Sequence, residues 1–211
     1  MKKTVRKIIG TLVGTAALAL VITSCQKEQN TGNYNAGTDG SLSYGNSALL
    51  FPTCAPIPDS LKVPEGNSLV LQTFGRGVQI YQVKRSATDP NVFSWVNIAP
   101  SATLYTNPNF TNPVINHFAG PSWHFIKGPE KGEKVVASKV KGITKDATAV
   151  QWLLLKAVDS LSTPNNKITF VQRICTVGGL GPTTGADEAH LGDLDSVPYT
   201  ASYLFYAKSN Y

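Results

Sequence analysis

The sequence predicts an all-β domain, a single β-sandwich or barrel-like fold of about 8–10 short strands with long loops. Three observations predict it. Short runs alternate at a period of two, as where Ile168, Phe170, Gln172 and Ile174 oppose Thr169, Val171, Arg173 and Cys175. Clusters of Gly, Pro and Asn break the runs, as at Thr88-Asp89-Pro90-Asn91, Asn107-Pro108-Asn109 and Thr163-Pro164-Asn165-Asn166. Of the 211 residues, 42% are hydrophobic and 15% charged, which excludes a disordered polyelectrolyte and leaves the stretch 48–211 able to bury one core.

The expected strands follow in order. Ser68–Phe74 and Gly77–Lys84 are β-rich runs on either side of Gly75-Arg76-Gly77, whose glycines read as turn residues needing positive φ. Val92–Ile98 starts after the Asp-Pro-Asn turn. Val114–Ala119 and Ser122–Lys127 flank Gly120-Pro121, and Lys134–Val140 follows the Gly-Pro loop at 128–129. Ala147–Leu161 contains Trp152-Leu153-Leu154-Leu155 and suits either a strand apolar on both faces or a three-turn helix. The Pro-Asn-Asn turn behind it favours a central strand in a hairpin with Lys167–Val177. In Tyr199–Ala207, Tyr199, Ala201, Tyr203 and Phe205 oppose Thr200, Ser202, Leu204 and Tyr206.

The N-terminus reads as an address. Lys2, Lys3, Arg6 and Lys7 precede an uncharged, largely apolar run from Ile8 to Ile22, the pattern of a secretory signal and too short for a spanning helix. Ile22-Thr23-Ser24-Cys25 resembles the bacterial lipoprotein lipobox. That resemblance implies cleavage before Cys25 and lipidation of its thiol, and acyl chains hold a protein on a bilayer at ~0.8 kcal/mol per buried methylene. Residues 1–24 are then a lipoprotein signal peptide and 25–47 a lipidated tether. The Gly- and Asn-rich part, Gln26–Ser47, is too poor in aliphatics to order itself and reaches roughly 25 Å as a coil. The expected location is the bacterial outer membrane, on the periplasmic side or, from Gln26-Lys27-Glu28, at the cell surface. The whole chain carries a formal charge of +6. Without the four signal-peptide cations, 15 basic residues face 13 acidic ones, a net of +2. No electrostatic argument for nucleic acid remains, so membrane attachment rests on the lipid at Cys25.

Candidate chemistry is sparse. With Cys25 lipidated, Cys54 and Cys175 remain, either as a disulfide of an oxidising compartment or as two buried thiols. His117, His124 and His190 lack the close spacing of a zinc site, and Asp187, Glu188, Asp193 and Asp195 lack the register of a calcium loop. Gly-x-Ser-x-Gly is absent. Gly178-Gly179-Leu180-Gly181-Pro182 is not a nucleotide loop, because Pro182 breaks it and no βαβ unit surrounds it. Neither cofactor nor metal is expected. Among the aromatics Tyr81, Trp95, Tyr105, Phe118, Trp123 and Trp152, core packing competes with a ligand-stacking role. The candidate pocket is Tyr81, His117, Trp123, His124 and Arg173.

Several segments together resemble an uncharacterised secreted family, domain-of-unknown-function family 3455. They are Val63-Pro64-Glu65-Gly66-Asn67, Gly77-Val78-Gln79-Ile80-Tyr81, His117-Phe118-Ala119-Gly120-Pro121-Ser122-Trp123, Trp152-Leu153-Leu154-Leu155, Val171-Gln172-Arg173-Ile174 and Val197-Pro198-Tyr199-Thr200-Ala201. The resemblance spans about residues 57–206 and implies one extracytoplasmic β-rich domain without an established activity. A dehydrogenase label on some fungal members does not transfer, since the dinucleotide fingerprint is missing here. This chain has Gln82 and Ala186 where the family pattern has cysteines, consistent with joint loss of a family disulfide. It also has His124 and Lys127-Gly128-Pro129 where the pattern has acidic residues.

These readings lead to a lipid-anchored envelope protein with a binding or structural role, toward a glycan or small apolar ligand. The alternative is a hydrolase or metal-dependent enzyme using His117, His124 and Arg173.

Overall fold

A computed structural model describes residues 54, 56–159, 162–163 and 167–209. The expected signal peptide, the expected lipid site at Cys25 and the expected tether lie outside the described residues. Eight strands follow one another: β1 (Asn67–Arg85), β2 (Phe93–Tyr105), β3 (Pro113–Phe118), β4 (Ser122–Phe125), β5 (Lys134–Ile143), β6 (Trp152–Ala157), β7 (Ile168–Gly178) and β8 (Leu194–Lys208). Each pairs antiparallel with the next, and β8 closes onto β1, giving a barrel in plain sequence order. Closure removes the exposed edges that an open sheet would carry. The all-β expectation therefore holds, in its barrel form. The ambiguous segment around Trp152 is a strand, and it pairs with β7 as the turn chemistry predicted.

One expectation about the strands is corrected. Ser68–Phe74 and Gly77–Lys84 are not two strands, because Gly75-Arg76-Gly77 runs straight through β1. Neither Gly75 nor Gly77 has positive φ. Gly75 is there for space: a Cβ on it would lie 2.7 Å from the ring of Tyr203. The strand keeps its path so that a buried aromatic can lie flat against its backbone.

The alternation along the strands builds two cores. Inside the barrel, Ala102, Leu104, Ile115, Trp123, Phe125, Val135, Leu155, Val171, Ala201, Tyr203 and Phe205 pack together. On the outer face of β6, β7 and β8, Trp152, Leu154, Ile174 and Leu204 form a second cluster. The incoming chain covers it: Leu61, from a 3-10 turn at Asp59–Leu61, is fully buried there, with Ile57 and Val63 alongside. Trp152-Leu153-Leu154-Leu155 is apolar on both faces for this reason. Trp152 and Leu154 serve the outer cluster, while Leu153 and Leu155 serve the inner one.

Cys54 and Cys175 are joined as a disulfide with Cα atoms 5.5 Å apart. It pins the covering segment to β7 at a bulge, where Cys175 takes φ of 51°. At one end of the barrel the β7–β8 connection folds over the rim. The Tyr81 hydroxyl donates to the Gly179 carbonyl at 2.8 Å, and Trp95 Nε1 donates to the Thr184 carbonyl at 2.8 Å.

Candidate functional site

The interior is not uniformly apolar. One row of paired residues crosses the sheet as Val135, Trp123, His117, Ala102, Gly77 and Tyr199. The next interior row runs Phe125, Ile115, Leu104, Gly75 and Ala201. His117 and Tyr199 thus lie on one side of a wholly apolar row, Thr73, Tyr203 and Arg173 pair on its other side, and the two tyrosine hydroxyls meet. Arg173 enters this region from β7, opposite Leu153 on one side and Tyr203 on the other.

His117 is buried at 2% exposure, and its Nδ1 lies 2.9 Å from the Ser122 carbonyl. A carbonyl only accepts, so Nδ1 carries the proton and Nε2 is left as an acceptor. Its ring stacks on Trp123 at 4.7 Å and 4°, and meets Tyr203 edge-on at 5.2 Å. Burial, assisted by the positive charge of Arg173 and opposed by the bond to Ser122, lowers its pKa to about 3. The imidazole is neutral at any physiological pH.

The hydroxyls of Tyr199 and Tyr203 lie 3.0 Å apart. Burial pushes both phenols up, so both keep their protons. The positive charge of Arg173 acts on both hydroxyls. Arg173 Nε and Nη2 donate to the Gln151 carbonyl at 3.1 and 3.0 Å. Gln79 Oε1 accepts from Asn97 Nδ2 at 3.1 Å. The result is a polar group of Arg173, Tyr203, Tyr199 and Gln79, with Trp123 and His117 beside it. Gly179, at φ of 81°, closes over it: a Cβ there would crowd Tyr199 and Gln79.

Three buried polar atoms of the interior strands have no hydrogen-bond partner: Gln79 Nε2, Trp123 Nε1 and Thr73 Oγ1. Unpaired buried donors cost roughly 1–3 kcal/mol each, so such groups ordinarily meet water or a ligand. Arg173 itself is half-buried although its neighbours Val171 and Tyr203 are sealed.

Of the five residues expected to line a pocket, the structure brings His117, Trp123 and Arg173 together. Tyr81 faces inward too, but its hydroxyl is used to hold the β7–β8 connection. His124 is separated from them. It alternates with Trp123 on β4, is exposed, and its ring meets Phe118 on the outer surface. A two-histidine centre of His117 and His124 with Arg173 is thus not assembled. His190 is likewise occupied on the surface, with Nδ1 2.6 Å from Asp187 Oδ1. Among the described residues no three His, Cys, Asp or Glu side chains gather as metal ligands. Sequence reasoning missed Gln79, Tyr199 and Tyr203. A signal existed: Tyr199 and Tyr203 share one face of β8, and buried tyrosines need a partner for each hydroxyl.

A family model described as a protein of unknown function (DUF3455) matches residues 64–207. No curated protein and no solved structure matches the chain.

Proposed function

The chain belongs to this family, and because the family brings no activity we propose a function from the geometry: a lipid-anchored protein of the bacterial outer membrane whose barrel binds a small molecule in its interior. The observation that carries the binding role is the inward Arg173 with the hydroxyls of Tyr203 and Tyr199 and the unpartnered amide of Gln79. A barrel meant only as a spacer gains nothing from donors buried without partners. Closed barrels of eight strands have an interior of the size that holds side chains or one small ligand. The polar lining favours a polar molecule, a short glycan among them, over a purely apolar one. The lipobox at Ile22–Cys25 supports the anchor.

The binding role is tested by thermal unfolding and tryptophan emission of the mature protein against a panel of short glycans, organic acids and short-chain lipids. At least one compound should raise Tm and shift the emission, and the emission shift should shrink in Trp123→Phe. If the folded protein responds to no member of the panel, interior binding fails. For the anchor, Cys25→Ser should move the protein from the membrane fraction to the soluble one.

A further inference from the structure

We infer that the interior site takes a small monoanion, its carboxylate seated against Arg173. The inference rests on the interior-binding reading and names the chemistry of the ligand. Its first support is charge. Arg173 faces into the barrel, yet none of the ion pairs among the described residues includes it. Its polar neighbours there are Tyr199, Tyr203 and His117, all uncharged at neutral pH. A half-buried guanidinium without a counter-ion is costly, and an incoming anion relieves that cost.

The second support is hydrogen-bond direction. Nε and one Nη2 proton of Arg173 go to the Gln151 carbonyl, which leaves Nη1 and the other Nη2 proton for Tyr203 and for a guest. Gln79 Nε2, 2% exposed as a residue, adds donors with no acceptor in the protein. Trp123 Nε1 is a further unpartnered donor. The unmet nitrogens are all donors, so the complementary guest is rich in acceptors.

The third support selects the charge. One cation with neutral neighbours is balanced by one negative charge, whereas a phosphate dianion would leave a net negative charge among phenols and aromatic faces. A planar carboxylate also matches the guanidinium fork.

Matched probes test this by calorimetric titration of the mature protein: glucuronate against methyl glucoside, and benzoate against benzyl alcohol, with inorganic phosphate as a fifth arm. The acid of at least one pair should bind on the order of tenfold tighter than its neutral partner, the factor one charge-assisted bond supplies. Which acid binds better separates a sugar acid from an aromatic acid, and either result supports the inference. Arg173→Met should abolish the preference for the acid, and Gln79→Leu should weaken the acid and its neutral partner alike without changing that preference. If Arg173→Met does not fold, the wild-type comparison of acid with neutral probe still decides. Equal binding of acid and neutral probes overturns the carboxylate and leaves interior binding standing. Tighter binding of phosphate overturns the monoanion. Failure of all five probes overturns the inference, while the broader panel separately judges interior binding.

Discussion

The two faces of β6, β7 and β8 solve the same packing problem in opposite ways. On the outer face, Leu61, Trp152, Leu154, Ile174 and Leu204 are sealed beneath the incoming chain. The buried Gln172 there is satisfied at both ends. Its Nε2 donates to the Leu61 carbonyl at 2.6 Å, and its Oε1 accepts from the Tyr206 hydroxyl at 2.7 Å. On the inner face of the same strands, Arg173 lacks a counter-ion among the described residues, and Gln79 on the adjoining β1 lacks an acceptor for its amide. Two glutamines of one barrel thus differ by their surroundings alone. The finished network belongs to the face that stabilises, and the unfinished one to the face where we propose that a guest binds.

The largest effect should come from unclamping the outer face. The disulfide closes a loop with a sequence separation of 121, so the chain-entropy estimate approaches 5 kcal/mol, and observed losses run about 2–5 kcal/mol. Cys54→Ser with Cys175→Ser should lower stability by that much in urea unfolding. If the inner face is independent of the clamp, ligand-induced emission shifts should survive in the folded double variant. Loss of both together would break the comparison.

Acid should act through the inner face. Burial lowers the folded-state pKa of His117 from its ordinary 6.5 to about 3. Below pH 6.5 the unfolded chain binds a proton that the folded one refuses, so stability falls as pH drops through that window. From pH 7 to pH 4.5 this amounts to roughly 2–3 kcal/mol. The surface His190, whose pKa is raised by its hydrogen bond to Asp187, acts in the opposite sense, and its full exposure keeps that contribution small. His117→Gln should flatten the urea-midpoint profile between pH 4.5 and 7, and an unchanged slope would remove His117 as its cause.

The smallest effect concerns Thr73, fully buried on β1 with its hydroxyl unpartnered. Thr73→Val keeps the shape and deletes the orphan, so it should leave stability unchanged or raise it by about 1 kcal/mol. A clear loss in thermal unfolding would mean that the hydroxyl is satisfied by water inside the barrel.

Most strands were legible because their signal is local. Val114–Ala119, Ser122–Lys127 and Lys134–Val140 each sit between turn residues and alternate cleanly, and each survives with ends shifted by a few residues. The break placed at Gly75-Arg76-Gly77 was an error of a definite kind. Glycine makes a tight turn and also makes room for a ring, and only the position of Tyr203, more than a hundred residues on, separates the two. The candidate site was half legible. His117, Trp123 and Arg173 could be singled out by residue type, whereas Gln79 and the Tyr199–Tyr203 pair owe their place to the closure of β8 on β1.

The sequence by itself determined the strand order, the turns between strands and the alternation along each, since these depend on neighbours within a few residues. The proposed N-terminal address likewise rests on short linear chemistry. Tertiary structure alone decided that the sheet closes, which face of each strand lies inside, and that His124 is turned away while His117, a neighbour across one hairpin, is buried. The physical reason is that a side chain's partners in a closed barrel come from strands far apart in the chain. Charge balance and hydrogen-bond satisfaction, which mark the candidate site, exist only once those partners have met.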